Sequence, residues 1–305
     1  MSSAIMSNVR NFQAIMWMLL ASLCWAGMAI VIRLSSFKDP FVTVFITEAI
    51  ALIVIWLLAR MRRQKIARPK YWRNYIIRGF LGNGTFLFWI FSMSYMALTD
   101  VTALKFTAPL FTVLFAIIIF KEPSGWCRIL GLVAGFFGVL FVIYGGDTGS
   151  SKDQQVNFII GASFAIGSAL CWGISNLIIK HITKIDGQQT SLFYSLLMMM
   201  VIVGCISFSI GDFPDNMTQW GWLLFLGIIN YVGLVSTYRA YHMAYLTLLM
   251  PFDFSILIFI AILEYLIWNT MISSWTLVGS VVIISGAYLT IYKEHKQHRA
   301  RKRST

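Results

Sequence analysis

Leu23-Cys24-Trp25-Ala26 recurs as Leu170-Cys171-Trp172-Gly173, and each is followed by a mostly apolar run that ends on a basic residue, Arg33 in one copy and Lys180 in the other. The offset is 147 residues, close to half of the 305-residue chain. A second set repeats near the ends of the two halves. Gly131, Gly138 and Tyr144 return as Gly279, Gly286 and Tyr292, shifted by 148, and Gly79 falls on Gly227 at the same shift. One tripeptide match in apolar sequence arises easily by chance; several at one offset do not. The chain is a duplicated unit.

The unit is built for lipid. At 58% hydrophobic and 12% charged residues, with a mean hydropathy of +0.76, the chain lies far from soluble domains, which carry about a quarter charged residues. Apolar runs of about twenty residues, enough to cross a ~30 Å hydrocarbon layer, occur throughout. They predict an all-α integral membrane protein with ten spans near 13–34, 41–60, 76–97, 101–120, 125–145, 157–179, 188–210, 219–243, 247–268 and 275–292. Residues 1–146 form one five-helix repeat, 157–292 the second, and 293–305 a basic tail.

Charge sets the expected orientation. With the N-terminus inside, eighteen Lys and Arg lie in cytoplasmic segments, including seven from Arg60 to Arg73 and six in the tail, against Arg33, Lys38 and Lys152 outside. That asymmetry places both termini in the cytoplasm. The net charge of +12 is then explained by anionic membrane lipids and implies no nucleic acid. Five spans is an odd number, so the second repeat enters the membrane from the opposite side. Such inverted repeats suit alternating access, which makes transport the leading function and the cytoplasmic (inner) membrane the expected location.

Other classes find little support. The four cysteines lie in or beside apolar spans without a CxxC pair, which fits small packing residues rather than a disulfide framework or a zinc site. No Walker A motif and no metal cluster occur in the sequence, so no cofactor or metal is expected and an enzyme is disfavoured. The Leu-rich start shows no cleavable signal pattern. The expected partners are a small metabolite and membrane lipids, and a homodimer is compatible with the reading.

Ionisable residues inside spans are the sharper signal, because each costs about 2.5–3.5 kcal/mol at a helix centre. Glu48, Lys105, Arg239 and Asp253 lie several residues inside their spans. Each serves either helix pairing or a substrate site, with snorkelling a further option for Lys105 and Arg239. Arg239 and Asp253, on consecutive spans joined by a tight turn, are expected to pair. Arg78 opens its span and reads as a cytoplasmic anchor. Trp25 and Trp172 fall mid-span, too deep for an interfacial belt, and either pack the core or line a cavity. Tyr238 and Tyr241 add polar-tipped rings, and such rings beside a carboxylate suit a cationic or heteroaromatic metabolite. The Gly131/Gly138 and Gly279/Gly286 pairs permit close helix approach. Pro109 should kink the fourth span, and Asn83-Gly84-Thr85 could loosen the third.

Phe106-Thr107-Ala108-Pro109-Leu110-Phe111, then Lys121-Glu122-Pro123 at a turn, then the Gly131/Gly138 helix resemble the drug/metabolite transporter superfamily, EamA type. Within it, Tyr238-Arg239-Ala240-Tyr241 and Pro251-Phe252-Asp253-Phe254 are similar to the S-adenosylmethionine uptake branch. The second half departs from the pattern, carrying Thr270 where Glu122 has its counterpart; the turn reads as a structural helix terminus. The resemblance implies a substrate cavity lined by the first, third, fourth, sixth, eighth and ninth spans. The expected function is a secondary transporter of a small organic metabolite, such as an amino acid or an S-adenosylmethionine-like cation. A non-transporting scaffold or receptor-like protein is the alternative.

Overall fold

The computed structural model describes residues 3–35, 39–63, 66–95, 104–122, 126–144, 155–269, 278–279, 281–282 and 284–286. Within them the chain is helical: α1 (Ser3–Ser35), α2 (Pro40–Met61), α3 (Trp72–Tyr95), α4 (Ala108–Phe120), α5 (Trp126–Tyr144), α6 (Gln155–Asp186), α7 (Gln188–Ile210), α8 (Met217–Met243), α9 (Leu246–Asp253) and α10 (Ser255–Trp268). Helices α9 and α10 together make the ninth expected span, so nine of the ten have a counterpart among the described residues. The tenth lies mostly outside them. Six stretches are long and apolar enough to cross a membrane: Val9–Ile32, Phe41–Met61, Ile159–Asp186, Gln188–Ser209, Met217–Met243 and Leu246–Trp268.

Local chemistry sets the helix ends. Asp39 caps α2, its Oδ1 accepting from the Phe41 amide at 2.7 Å, with Pro40 at the first turn where no amide proton is needed. Its other oxygen accepts from the Asp212 amide at 3.2 Å, tying the loop before α2 to the loop after α7. Helix α4 ends at Lys121 and α10 at Asn269, both left-handed, with φ of 49° and 51°. These positions are related by 148 residues, so the repeat extends to the geometry of its C-caps.

The helix pairings show how the halves combine. Helix α3 packs on α6, and α1 on α8; α2 packs on α8, and α7 on α3; α4 packs on α6, and α10 on α1. Each pair becomes the next when the halves are exchanged, while α2 with α7 maps onto itself. The same holds at single contacts. A Cβ on Gly79 would come within 3.1 Å of Met198, and one on Gly227 within 2.4 Å of Ile50. Both partners are shifted by 148, so this is one contact made twice. The two halves are therefore intertwined, and neither buries its apolar faces alone.

Polar links follow the same interfaces. Ser92 and Ser168 bond carbonyls across α3 and α6, and Asn83 donates from α3 to the Met199 carbonyl on α7. Helix α3 is continuous through Asn83-Gly84-Thr85, with Asn83 Nδ2 donating to the Gly79 carbonyl one turn back; the loosening expected there does not occur. Gly286 does meet α5 closely, a Cβ there falling 2.9 Å from the Gly131 carbonyl, as the paired glycines led one to expect.

Candidate functional site

The fourth and ninth spans are both interrupted, at related places. Leu104 and Lys105 are helical, Phe106 and Thr107 turn, and α4 begins at Ala108 with Pro109 in its first turn. Pro109 has no amide proton to give the preceding turn, which is why the break falls just before it. In the second half Pro251 lies inside α9, and the helix turns at Phe254 before α10 starts. Phe106 and Phe254 are shifted by 148 residues, as are Lys105 and Asp253. Both turns keep right-handed backbone angles and tight amide bonds, Thr107 to the Leu104 carbonyl and Leu257 to the Phe254 carbonyl, so each is a tightened turn within its span.

Phe106 and Phe254 meet each other, their ring centroids 6.3 Å apart. A residue that touches its own repeat mate lies on the pseudo-twofold axis, so the two breaks meet there. Lys105 and Asp253, repeat mates as well, lie within electrostatic reach of each other. Lys105 Nζ lies 4.8 Å from the Trp89 ring centroid on α3, a cation–π contact, and Tyr241 on α8 is within electrostatic reach of Asp253. Lys105, Asp253, Phe106 and Trp89 all keep intermediate exposure several residues inside their spans. The site thus offers a cation, a carboxylate and aromatic faces within one locus.

The expected Arg239–Asp253 pair is not what forms. Arg239 instead stacks on Trp17 of α1, 4.5 Å from the ring centroid, and the charge within electrostatic reach of Asp253 is Lys105. A tight turn between consecutive spans makes their helices neighbours but leaves the azimuth of Arg239 and Asp253 open.

A second polar cluster lies where α2, α3, α7 and α8 meet. It holds Glu48, Arg78, Ser195, Asn230 and Tyr238, exposed by 7%, 1%, 2%, 3% and 0%. Arg78 is no cytoplasmic anchor. Its Nη1 lies where a Cβ on Gly82, one turn further into the membrane, would come, so the guanidinium runs inward rather than snorkelling out. Arg78 acts electrostatically on Glu48, Tyr238 and Tyr241.

The profile of the EamA-like transporter family matches residues 12–144 and again 159–292. The chain belongs to the EamA-like transporter family. As a member it is a multi-pass membrane protein, in line with its six long apolar stretches. It is 24% identical to a riboflavin transporter of Vibrio cholerae, over 95% of this chain and 96% of that one. It is 25% identical to an S-adenosylmethionine uptake transporter of Rickettsia bellii, over 87% and 86%, and 23% identical to a pseudopaline exporter of Pseudomonas aeruginosa, over 87% and 91%. A crystal structure superposes with a TM-score of 0.83 at 15% identity, covering 93% of this chain and 98% of that one, a likeness of fold.

In this EamA-family protein the turn after α4 does more than end a helix. Glu122 Oε1 lies 2.9 Å from Lys180 Nζ on α6, both side chains 2% exposed. Lys180 also donates to the Ala244 carbonyl at 2.5 Å, and the Thr247 amide donates to Glu122 Oε2 at 3.1 Å. One buried ion pair therefore ties α4 and α6 to the turn between α8 and α9. Lys180, counted from sequence among the cytoplasmic basic residues, is buried. The related positions in the other half are Arg33 and Thr270, which form no acid–base pair by residue type.

Trp25 and Trp172 keep intermediate exposure, and Trp25 packs against the main apolar core with Gly233 beside it. Tyr238 and Tyr241 are fully enclosed on α8. Sequence reading missed Arg78 as an inward charge, and Gly82 four residues on was the available signal. It also missed that Lys105 and Asp253 are repeat mates, although both the shift and the residues were in view.

Proposed function

We propose that this EamA-family protein is a secondary transporter that carries a small organic metabolite through the cytoplasmic membrane by alternating access. Ten spans as two inverted repeats, with both termini cytoplasmic, complete the reading. The observation that carries it is the meeting of two interrupted helices on the pseudo-twofold axis, with the repeat mates Lys105 and Asp253 within electrostatic reach of each other. A ligand there touches both repeats at once, so rocking one repeat against the other exposes it to each side in turn.

The chemistry of the locus favours a solute with an aromatic ring and separated charges. Trp89 and Phe106 supply ring faces, Lys105 suits an anionic group and Asp253 a cationic one. Riboflavin and S-adenosylmethionine, named for two relatives, both carry fused heterocycles, and the second also carries opposite charges. Trp25 and Trp172, related by the repeat, are proposed to line the same path from opposite halves, with Tyr241 and Arg239 at its margin. The Glu122–Lys180 tie closes the cytoplasmic end.

The test is counterflow in proteoliposomes with labelled riboflavin, S-adenosylmethionine and a panel of amino acids. Exchange of at least one probe, reduced about tenfold or more in Lys105→Gln and Asp253→Asn at unchanged folded yield, supports the reading; that loss corresponds to about 1.4 kcal/mol. Folded protein that exchanges none of them leaves a scaffold or receptor-like role as the better account.

A further inference from the structure

The Glu48 cluster is separate from the axis pair, and its polar atoms are poorly matched. Glu48 Oε2, Arg78 Nε and Nη1, Ser195 Oγ, Asn230 Nδ2 and the Tyr238 hydroxyl are all buried without a well-formed hydrogen bond, although Asn230 approaches Glu48, and Ser195 and Arg78 approach Tyr238. Five residues from four helices converge, yet their donors and acceptors meet only in loose contacts. A static structural ion pair would close them with forked contacts.

The surroundings limit what can bind. Gly79 presses on Met198 and Ile202, Gly227 on Ile50, and Gly82 on Met199 and the Arg78 guanidinium. Each of these contacts is next to, or within one turn of, a member of the cluster. The helices are too close there for a metabolite, so the occupant is small. A carboxylate beside a guanidinium, an amide and two hydroxyls, enclosed in a membrane interior, suits a proton and the water that delivers it.

We infer that Glu48 is a proton-exchange site that couples proton movement to the conformational cycle. The inference rests on the transport reading for its coupling role, though not for the protonation itself. In one state ionised Glu48 balances the charge of Arg78. When Glu48 takes up a proton it becomes a neutral acid, and Arg78 is released toward Tyr238 and Tyr241, which it already reaches. Tyr241 in turn faces Asp253, so Arg78 stands between the proton site and the axis pair. The groups facing Glu48 are thus Arg78 from α3, Tyr238 and Asn230 from α8 and, through Tyr238, Ser195 from α7. Helices α2, α3, α7 and α8 pack across the two repeats, so rocking alters the Glu48–Arg78 approach directly.

Infrared difference spectroscopy on the full-length protein in lipid tests the protonation. A protonated-carboxyl carbonyl band should grow as pH falls, vanish in Glu48→Gln and persist in Asp253→Asn. If Glu48→Gln folds poorly, Glu48→Asp should shift the midpoint of that band. No such band, or a band that Glu48→Gln leaves in place and whose midpoint Glu48→Asp does not move, overturns the inference. In proteoliposomes, the ratio of accumulation driven by a pH gradient to counterflow of the same probe, riboflavin or S-adenosylmethionine, should fall at least tenfold in Glu48→Gln. An unchanged ratio overturns the coupling role. Absence of any counterflow by the unaltered protein would instead count against the transport reading, while the infrared band stands on its own.

Discussion

Lys105 and Asp253 show how much a single position can carry. Each alone is a charge in a membrane span, costing about 2.5–3.5 kcal/mol by insertion scales. Related by the repeat and within electrostatic reach of each other, they offset part of one another's cost. Their symmetry gives an unusual test, because exchanging the two charges leaves opposite charges at the two related positions. Lys105→Asp or Asp253→Lys alone puts like charges together and should sharply lower folded yield in membranes. The double exchange should recover most of that yield, and by reversing the polarity of the site should still impair counterflow. If the double variant is as poorly folded as the singles, the two residues do not face each other. Arg78 makes the complementary point. Its place near a helix start invited the anchor reading, and only the bare face at Gly82 reveals that the side chain turns inward.

Among elements, the close approaches differ in how much they can yield. A Cβ on Gly79 would meet Ile202 Cδ1 at 2.8 Å, the free end of a side chain. On Gly227 it would meet Ile50 Cγ2 and Cβ at 2.4 and 2.5 Å, atoms held next to the α2 backbone. Gly227→Ala should therefore lower thermal stability clearly more than Gly79→Ala, with overpacking of this kind costing about 1–3 kcal/mol. Equal effects would mean that α2 and α8 can separate without loss. The Glu122–Lys180 pair is the other element-level device. Glu122→Gln or Lys180→Met leaves one buried partner behind and should cost about 3–5 kcal/mol, whereas an apolar pair at both positions should recover stability. Thermal unfolding of the three variants in detergent checks this; a double variant no better than the singles would show that the ion pair is not the tie. The break before Pro109 was legible because proline lacks a donor. The break at Phe254 was not, since Pro251 lies a turn earlier and the interruption falls where the repeat, rather than the proline, places it.

For the whole molecule, the duplication was legible from a few residues at one offset because an inverted repeat must keep its packing positions twice. Gly79 and Gly227 were read as repeat marks, and the structure adds that they make the same contact. Which charges meet could not be read, since partner choice depends on helix azimuth across halves far apart in sequence. Orientation still rests on the distribution of Lys and Arg. Reporter fusions in the segment 145–157 should place it outside, and a cytoplasmic signal there would invert or undo the ten-span topology. The most direct test of alternating access uses Phe106, which lies on the axis and keeps intermediate exposure. In a background with Cys24, Cys127, Cys171 and Cys205 replaced by serine, Phe106→Cys is labelled with a membrane-impermeant maleimide in right-side-out and inside-out vesicles. The expected result is labelling from both sides, with the rate from the cytoplasmic side raised when Glu122 and Lys180 are both made apolar. Labelling from one side alone, unchanged by opening that tie, would contradict the account.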